Sequence, residues 1–247
     1  MLETNTAVDA HAIAANVADV RDRIARACRR AGRDAGEVTL VGVTKTFPLE
    51  AVDAGYAAGL RHFGENKVQE LAAKAMERPG RLLGGDHAWH MIGHLQRNKA
   101  RDAVAQADVF EALDSLRLAD ELERRCAAAD RTLTCLVQVN VSGEASKFGL
   151  DPDALYPFLD RLGAHEHLAV AGLMTLAAPS DDPEAVRHQF RLLRTLAAGY
   201  AASRNPRVAL RELSMGMSGD YEVAVEEGAT IVRIGSALFG QRTYAGG

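Results

Sequence analysis

Lys45 stands apart because the chain holds only five lysines (Lys45, Lys67, Lys74, Lys99 and Lys147) against 24 arginines. Arginine keeps its charge, whereas a desolvated lysine amine sheds its proton and attacks carbonyl carbon. Lys45 follows the apolar run Val38–Val43, where partial burial would lower the amine pKa; a surface lysine left by biased composition is the alternative. Small residues suited to an anion lie far along the chain, in Ser214–Met215–Gly216–Met217–Ser218–Gly219 and Arg233–Ile234–Gly235–Ser236. Hydroxyls and unshielded backbone N–H groups bind phosphate, although a tight turn explains each glycine taken singly and a helix cap each serine. Gly64–Glu65–Asn66, His90 with His94, Asn140 and Met174 also cluster at the ends of apolar runs. The four-residue step from His90 to His94 aligns metal ligands only on a helix, and Met91–Ile92–Gly93 argues against one there.

Elements must bring these residues together. Ile13, Val17, Val20, Ile24 and Cys28 recur at three- and four-residue steps, which predicts an amphipathic helix over 8–31 stopped by Gly32. Short apolar runs then alternate with helical stretches. Strands are expected at 38–44, 60–63, 89–92, 108–112, 133–141, 168–174, 208–214 and 230–234. Helices are expected at 49–58 after Pro48, at 67–77, 97–105 and 115–128 with Ser115 as cap, then at 151–162, 183–203 and 221–227. Near-continuous Val/Ile/Leu strands describe a buried parallel sheet, and about 250 residues is the usual length of a (β/α)8 TIM barrel. The expected fold class is therefore α/β, a single TIM-barrel domain over 38–240 behind an N-terminal helix. An open doubly wound sheet is the rival.

In a barrel, polar residues at the strand C-terminal ends share one mouth, and the loops after strands seven and eight commonly hold phosphate. An amine facing a phosphate site suits an aldehyde that carries a phosphate. That chemistry points to pyridoxal 5'-phosphate (PLP) held by Lys45 as a Schiff base.

Longer motifs agree: Val43–Thr44–Lys45–Thr46, His62–Phe63–Gly64–Glu65–Asn66–Lys67–Val68–Gln69–Glu70, Trp89 to Lys99, and Ser146–Lys147–Phe148–Gly149. Gly172–Leu173–Met174–Thr175, Leu213 to Ser218 and Val232 to Gly240 continue the series. In order and spacing, from about residue 8 to residue 244, the chain resembles the pyridoxal phosphate homeostasis proteins, relatives of the fold type III barrel of alanine racemase. The resemblance implies Lys45 as the Schiff-base lysine, Ser218, Gly235 and Ser236 as phosphate cradle, and Asn66 beside the cofactor. It places Arg233 against the pyridine nitrogen, where a permanent cation keeps that nitrogen unprotonated and weakens the ring as an electron sink. A barrel-end salt bridge is the other reading of Arg233. The expected cofactor-binding set is Lys45, Asn66, His90, Met174, Ser214, Ser218, Gly219, Arg233, Gly235 and Ser236, with no catalytic or metal residue. Gly219 departs from a position often acidic in the family, and Tyr221 from one often Met or Phe. Lys99 and Lys147 suit either solvated loops or a second anion site.

Two functions compete, a PLP carrier or buffer and a small amino-acid racemase. Alanine racemases use a tyrosine from a second, β-rich domain as second base. No such extension is expected in a chain read to Gly247 directly after the barrel, and of Tyr56, Tyr156, Tyr200, Tyr221 and Tyr244 only Tyr221 is expected near the mouth. The carrier reading is favoured, with PLP-dependent apoenzymes as recipients and a monomer over a dimer. A net charge of −4 argues against nucleic-acid binding. No apolar run approaches the roughly 18 residues of a membrane helix, no signal peptide is visible, and Cys28, Cys126 and Cys135 lack a disulfide pattern. A reducing cytoplasm fits. The arginines from Arg21 to Arg33 and the pair Arg124–Arg125 read as solvated helix faces.

Overall fold

One face of α1 (Ala10–Arg30) gathers Ile13, Val17, Val20, Ile24 and Cys28, all buried as their spacing requires. Asp9 starts the helix by accepting from the His11 and Ala12 N–H groups, both at 3.0 Å. The computed structural model describes residues 8–81, 84–144, 147–200, 205 and 207–241. Ser146 of the loop motif, the expected helix end at Ser203, Tyr244 and the first seven residues lie outside the described residues.

Eight apolar strands follow: β1 (Thr39–Val43), β2 (His62–Glu65), β3 (Ala88–Met91), β4 (Val109–Leu113), β5 (Leu133–Gln138), β6 (Leu168–Met174), β7 (Val208–Ser214) and β8 (Ile231–Ile234). Each pairs in parallel with the next, and β8 closes on β1 with Thr39 opposite Ile231 and Gly42 opposite Ile234. The helices α2 (Leu49–Ala57), α3 (Val68–Glu77), α4 (Ala100–Gln106), α5 (Leu116–Ala128), α6 (Leu155–Arg161), α7 (Arg187–Gly199), α8 (Tyr221–Glu226) and α9 (Ser236–Phe239) alternate with them. This is a (β/α)8 TIM barrel behind an N-terminal helix, not an open sheet.

Several boundaries differ for local reasons. β2 starts at His62 because the Leu60 N–H turns back to the Gly55 carbonyl at 2.9 Å. β5 stops at Gln138, beyond which the Asn140 N–H bonds Leu150 at 2.8 Å. α2 starts at Leu49 directly after Pro48, as expected, whereas Ser115 precedes α5 without a side-chain cap hydrogen bond. The helices expected from 97, 151 and 183 begin as single 3-10 turns before α4, α6 and α7.

The arginines of α1 and its exit are not wholly a solvated face. Arg23 and Arg30 bridge to Glu222 and Glu226 of α8, and Arg33 donates to the Val225 and Ala229 carbonyls. They fasten α1 across the β8–β1 seam side of the barrel. Arg124 and Arg125 both bond Glu121 of their own helix, in keeping with a solvated face. Among the described residues no helix is long and apolar enough to cross a membrane.

Candidate functional site

Barrel closure makes β1 and β8 neighbours, so Lys45 after β1 meets Gly235 and Ser236 after β8 at one rim. Those three line a cavity of about 580 Å³ together with Asn66, Ser218, Gly219 and Arg233. Seven of the ten expected cofactor residues thus converge, drawn from the ends of β1, β2, β7 and β8. Lys45 is half-buried. The Ser218 hydroxyl accepts from the Ala237 N–H at 3.2 Å, which ties the β7 loop to the start of α9.

Two glycines shape the rim. Gly93 passes so close to the β2 loop that a Cβ would lie 2.2 Å from the Asn66 carbonyl oxygen. Gly216 has φ +92°, and a Cβ there would meet Ala224 at 2.6 Å, so only glycine lets the β7 loop lie against α8.

Beneath the cavity runs a buried polar chain. Arg233, 3% exposed, donates to the Ser214 hydroxyl and to the Thr175 carbonyl at 2.7 Å. Glu111 of β4 takes the Ser214 hydroxyl at 2.5 Å and lies 3.8 Å from the guanidinium. Its other oxygen is 2.6 Å from His90 Nδ1, and His90 Nε2 lies 2.9 Å from His62 Nδ1. Burial acts to raise the Glu111 pKa, but the bond to His90 and the nearby Arg233 charge outweigh it and hold the carboxyl below its usual value. Glu111, as the ionised partner, accepts Nδ1–H of His90, and His90 Nε2 pairs in turn with His62 Nδ1. Burial and His90 lower the His62 pKa to about 4.

His90, Met174 and Ser214 therefore do not line the cavity. His90 and Ser214 are members of the buried chain, and Met174 is packed in the apolar core. They occupy strand positions whose side chains are enclosed by the barrel, which strand-end placement in sequence does not distinguish from the mouth. Asn140 and Lys99 also fall outside the lining, whereas His94 and Lys147 are in it.

Gln138, Phe148, Leu176 and Met217, not singled out from the sequence, also form part of the walls. Phe148 is exposed and stacks on His94 with centroids 4.0 Å apart. Its place in the Lys147–Phe148–Gly149 motif was the available signal. Lys147 donates to the Ala177 carbonyl at 3.2 Å and pairs with Glu144 at 2.9 Å.

The profile of the family described as alanine racemase, N-terminal domain, matches residues 8–243. The pyridoxal phosphate homeostasis protein of Aquifex aeolicus is 42% identical over 91% of this chain and 96% of its own. The solved structure of PipY from Synechococcus elongatus with PLP bound is 37% identical, with a TM-score of 0.78 over 92% of this chain and 100% of its own. The alanine racemase of Corynebacterium glutamicum shares the fold alone, at 18% identity and a TM-score of 0.67 over 97% of this chain and 64% of its own. A barrel matched end to end by such relatives identifies the chain as a member of the pyridoxal phosphate homeostasis family, within the alanine racemase N-terminal domain group.

Proposed function

We propose that the protein binds PLP through Lys45 and serves intracellular vitamin B6 and amino-acid homeostasis as a carrier or buffer, without sustained turnover. The observation that carries this is the single cavity uniting an amine, a hydroxyl-and-glycine cradle and a buried cation. The donor set suits the cofactor: about 580 Å³ lies within the range of small-molecule sites. When bound, PLP supplies an aldehyde that a lysine amine captures with loss of water. Lys45 would present that amine, Ser218 and the N–H groups of Gly219, Gly235 and Ser236 would hold the phosphate, and Asn66 would contribute to the cofactor site. Arg233 would be the cation toward the pyridine nitrogen, and Glu111 3.8 Å away favours its charged form.

Racemisation needs a base on each face of the ring. Tyr221 is 1% exposed, and its ring lies under the Arg23 guanidinium at 5.3 Å, turned from the mouth. No tyrosine is among the described residues of the lining. Ser236 and Gly219 are exposed, so water reaches the phosphate end; that favours release to PLP-dependent apoenzymes over catalysis. Three free, buried cysteines are in keeping with a cytoplasmic location.

Absorbance titration with PLP tests the reading. The wild type should develop the long-wavelength band of a lysine-bound cofactor, and Lys45→Ala should not. Incubation with D- or L-amino acids should give no sustained interconversion; steady turnover of either would move the protein to the racemases.

A further inference from the structure

Lys45 sits between two threonines whose backbones are gripped by one cluster on β2 and α3. Glu65, wholly buried at the end of β2, accepts the Thr44 hydroxyl at 2.6 Å. Lys74 reaches from α3 to the Thr44 carbonyl at 2.8 Å, to Glu65 at 2.7 Å and to Glu70 at 2.9 Å. The same Glu70 oxygen accepts the Thr46 N–H at 2.6 Å. Both backbone neighbours of Lys45 are therefore tied to a carboxylate–ammonium–carboxylate group that does not itself line the cavity.

Thr46 shows what the grip opposes. Its φ is +68°, one of two non-glycine residues with positive φ among those described. The left-handed conformation costs a β-branched residue about 1–2 kcal/mol. It folds the chain straight back after the lysine, with the Phe47 N–H on the Thr44 carbonyl at 3.0 Å. The hydrogen bond from the Thr46 N–H to Glu70 offsets that cost, and without it the loop would relax toward extended backbone.

We infer that Glu65, Glu70 and Lys74 are positioning residues that hold the Lys45 amine where it meets the aldehyde of PLP. The inference rests on the reading of Lys45 as the attachment point. Glu70 is the residue to change, because it is partly exposed while Glu65 and Lys74 are buried. Glu70→Ala removes the acceptor from the Thr46 N–H, and Glu70→Gln retains one.

Two ligands separate positioning from general loosening. PLP carries the aldehyde, whereas pyridoxine 5'-phosphate carries an alcohol in its place and cannot condense with an amine. Glu70→Ala should raise the dissociation constant for PLP by about 5–30-fold, the factor that 1–2 kcal/mol corresponds to, and leave that for pyridoxine 5'-phosphate unchanged. In the cofactor-free protein the Thr46 amide should exchange hydrogen faster, and Glu70→Gln should restore most of both effects. An unchanged PLP constant, or equal weakening of the two ligands, would overturn the inference. A wild type that shows no preference for aldehyde over alcohol is a different result, and it removes the Lys45 reading itself.

Discussion

Glu111→Gln strips the counter-charge from Arg233 while keeping side-chain volume. At 3.8 Å and an effective dielectric of about 20, the lost attraction is roughly 4 kcal/mol. Removing one partner of a buried pair costs about 3–5 kcal/mol, because the remaining charge stays out of water. The amide also meets both donors Glu111 now receives, His90 at 2.6 Å and the Ser214 hydroxyl at 2.5 Å, and its NH₂ group accepts from neither. Urea unfolding at pH 7, followed by fluorescence of the buried Trp89, should show stability lower by about 3–5 kcal/mol, out of the 5–15 kcal/mol usual for a domain. Adding Arg233→Met to Glu111→Gln should recover part of the loss, since the uncompensated charge is gone. A loss under about 1 kcal/mol, or two substitutions that simply add, would refute a charge-paired Arg233 inside the barrel.

His62 gives a pH prediction. Its folded pKa, about 4 against 6.5 unperturbed, means the unfolded chain takes up a proton first, so stability present above pH 6.5 is lost as pH falls toward 4. His62→Asn should flatten the pH slope of urea-unfolding stability between 6.5 and 5 by up to about 1.4 kcal/mol per pH unit, the limit for one proton; parallel slopes would contradict a neutral His62. Gly93→Ala should cost about 1–3 kcal/mol in unfolding and weaken PLP binding, because its Cβ would displace the Asn66 loop. Unchanged stability and affinity would deny that close approach.

The fold and the meeting of Lys45 with the loops after β7 and β8 were legible for the same reason. Near-continuous apolar runs alternating with helices, at this chain length, point to a parallel barrel, and barrel closure brings the ends of β1, β7 and β8 together, with Lys45 near Ser218 and Ser236. His90, Met174 and Ser214 lie below the lining, on the same inner side of the barrel as Gln138 and Arg233, because strand-end placement in sequence does not give depth along the barrel axis. The interior chain from His62 to Arg233 was invisible because its members lie on five different elements, β2, β3, β4, β7 and β8, with no common spacing. Lys74 looked like an ordinary helix lysine, since only the tertiary fold brings α3 under the β1 loop. The Thr46 turn left no mark either: nothing in Thr44–Lys45–Thr46–Phe47 calls for a left-handed residue, and the conformation is imposed from Glu70.

Borohydride reduction of the PLP-loaded protein, followed by proteolysis and mass spectrometry, tests the attachment most directly. Reduction should fix one pyridoxyl group per chain, on the peptide containing Lys45, and none should appear in Lys45→Ala. A pyridoxyl group on Lys74, Lys99 or Lys147 in the wild type, with the Lys45 peptide unmodified, would contradict Lys45 as the residue that holds the cofactor.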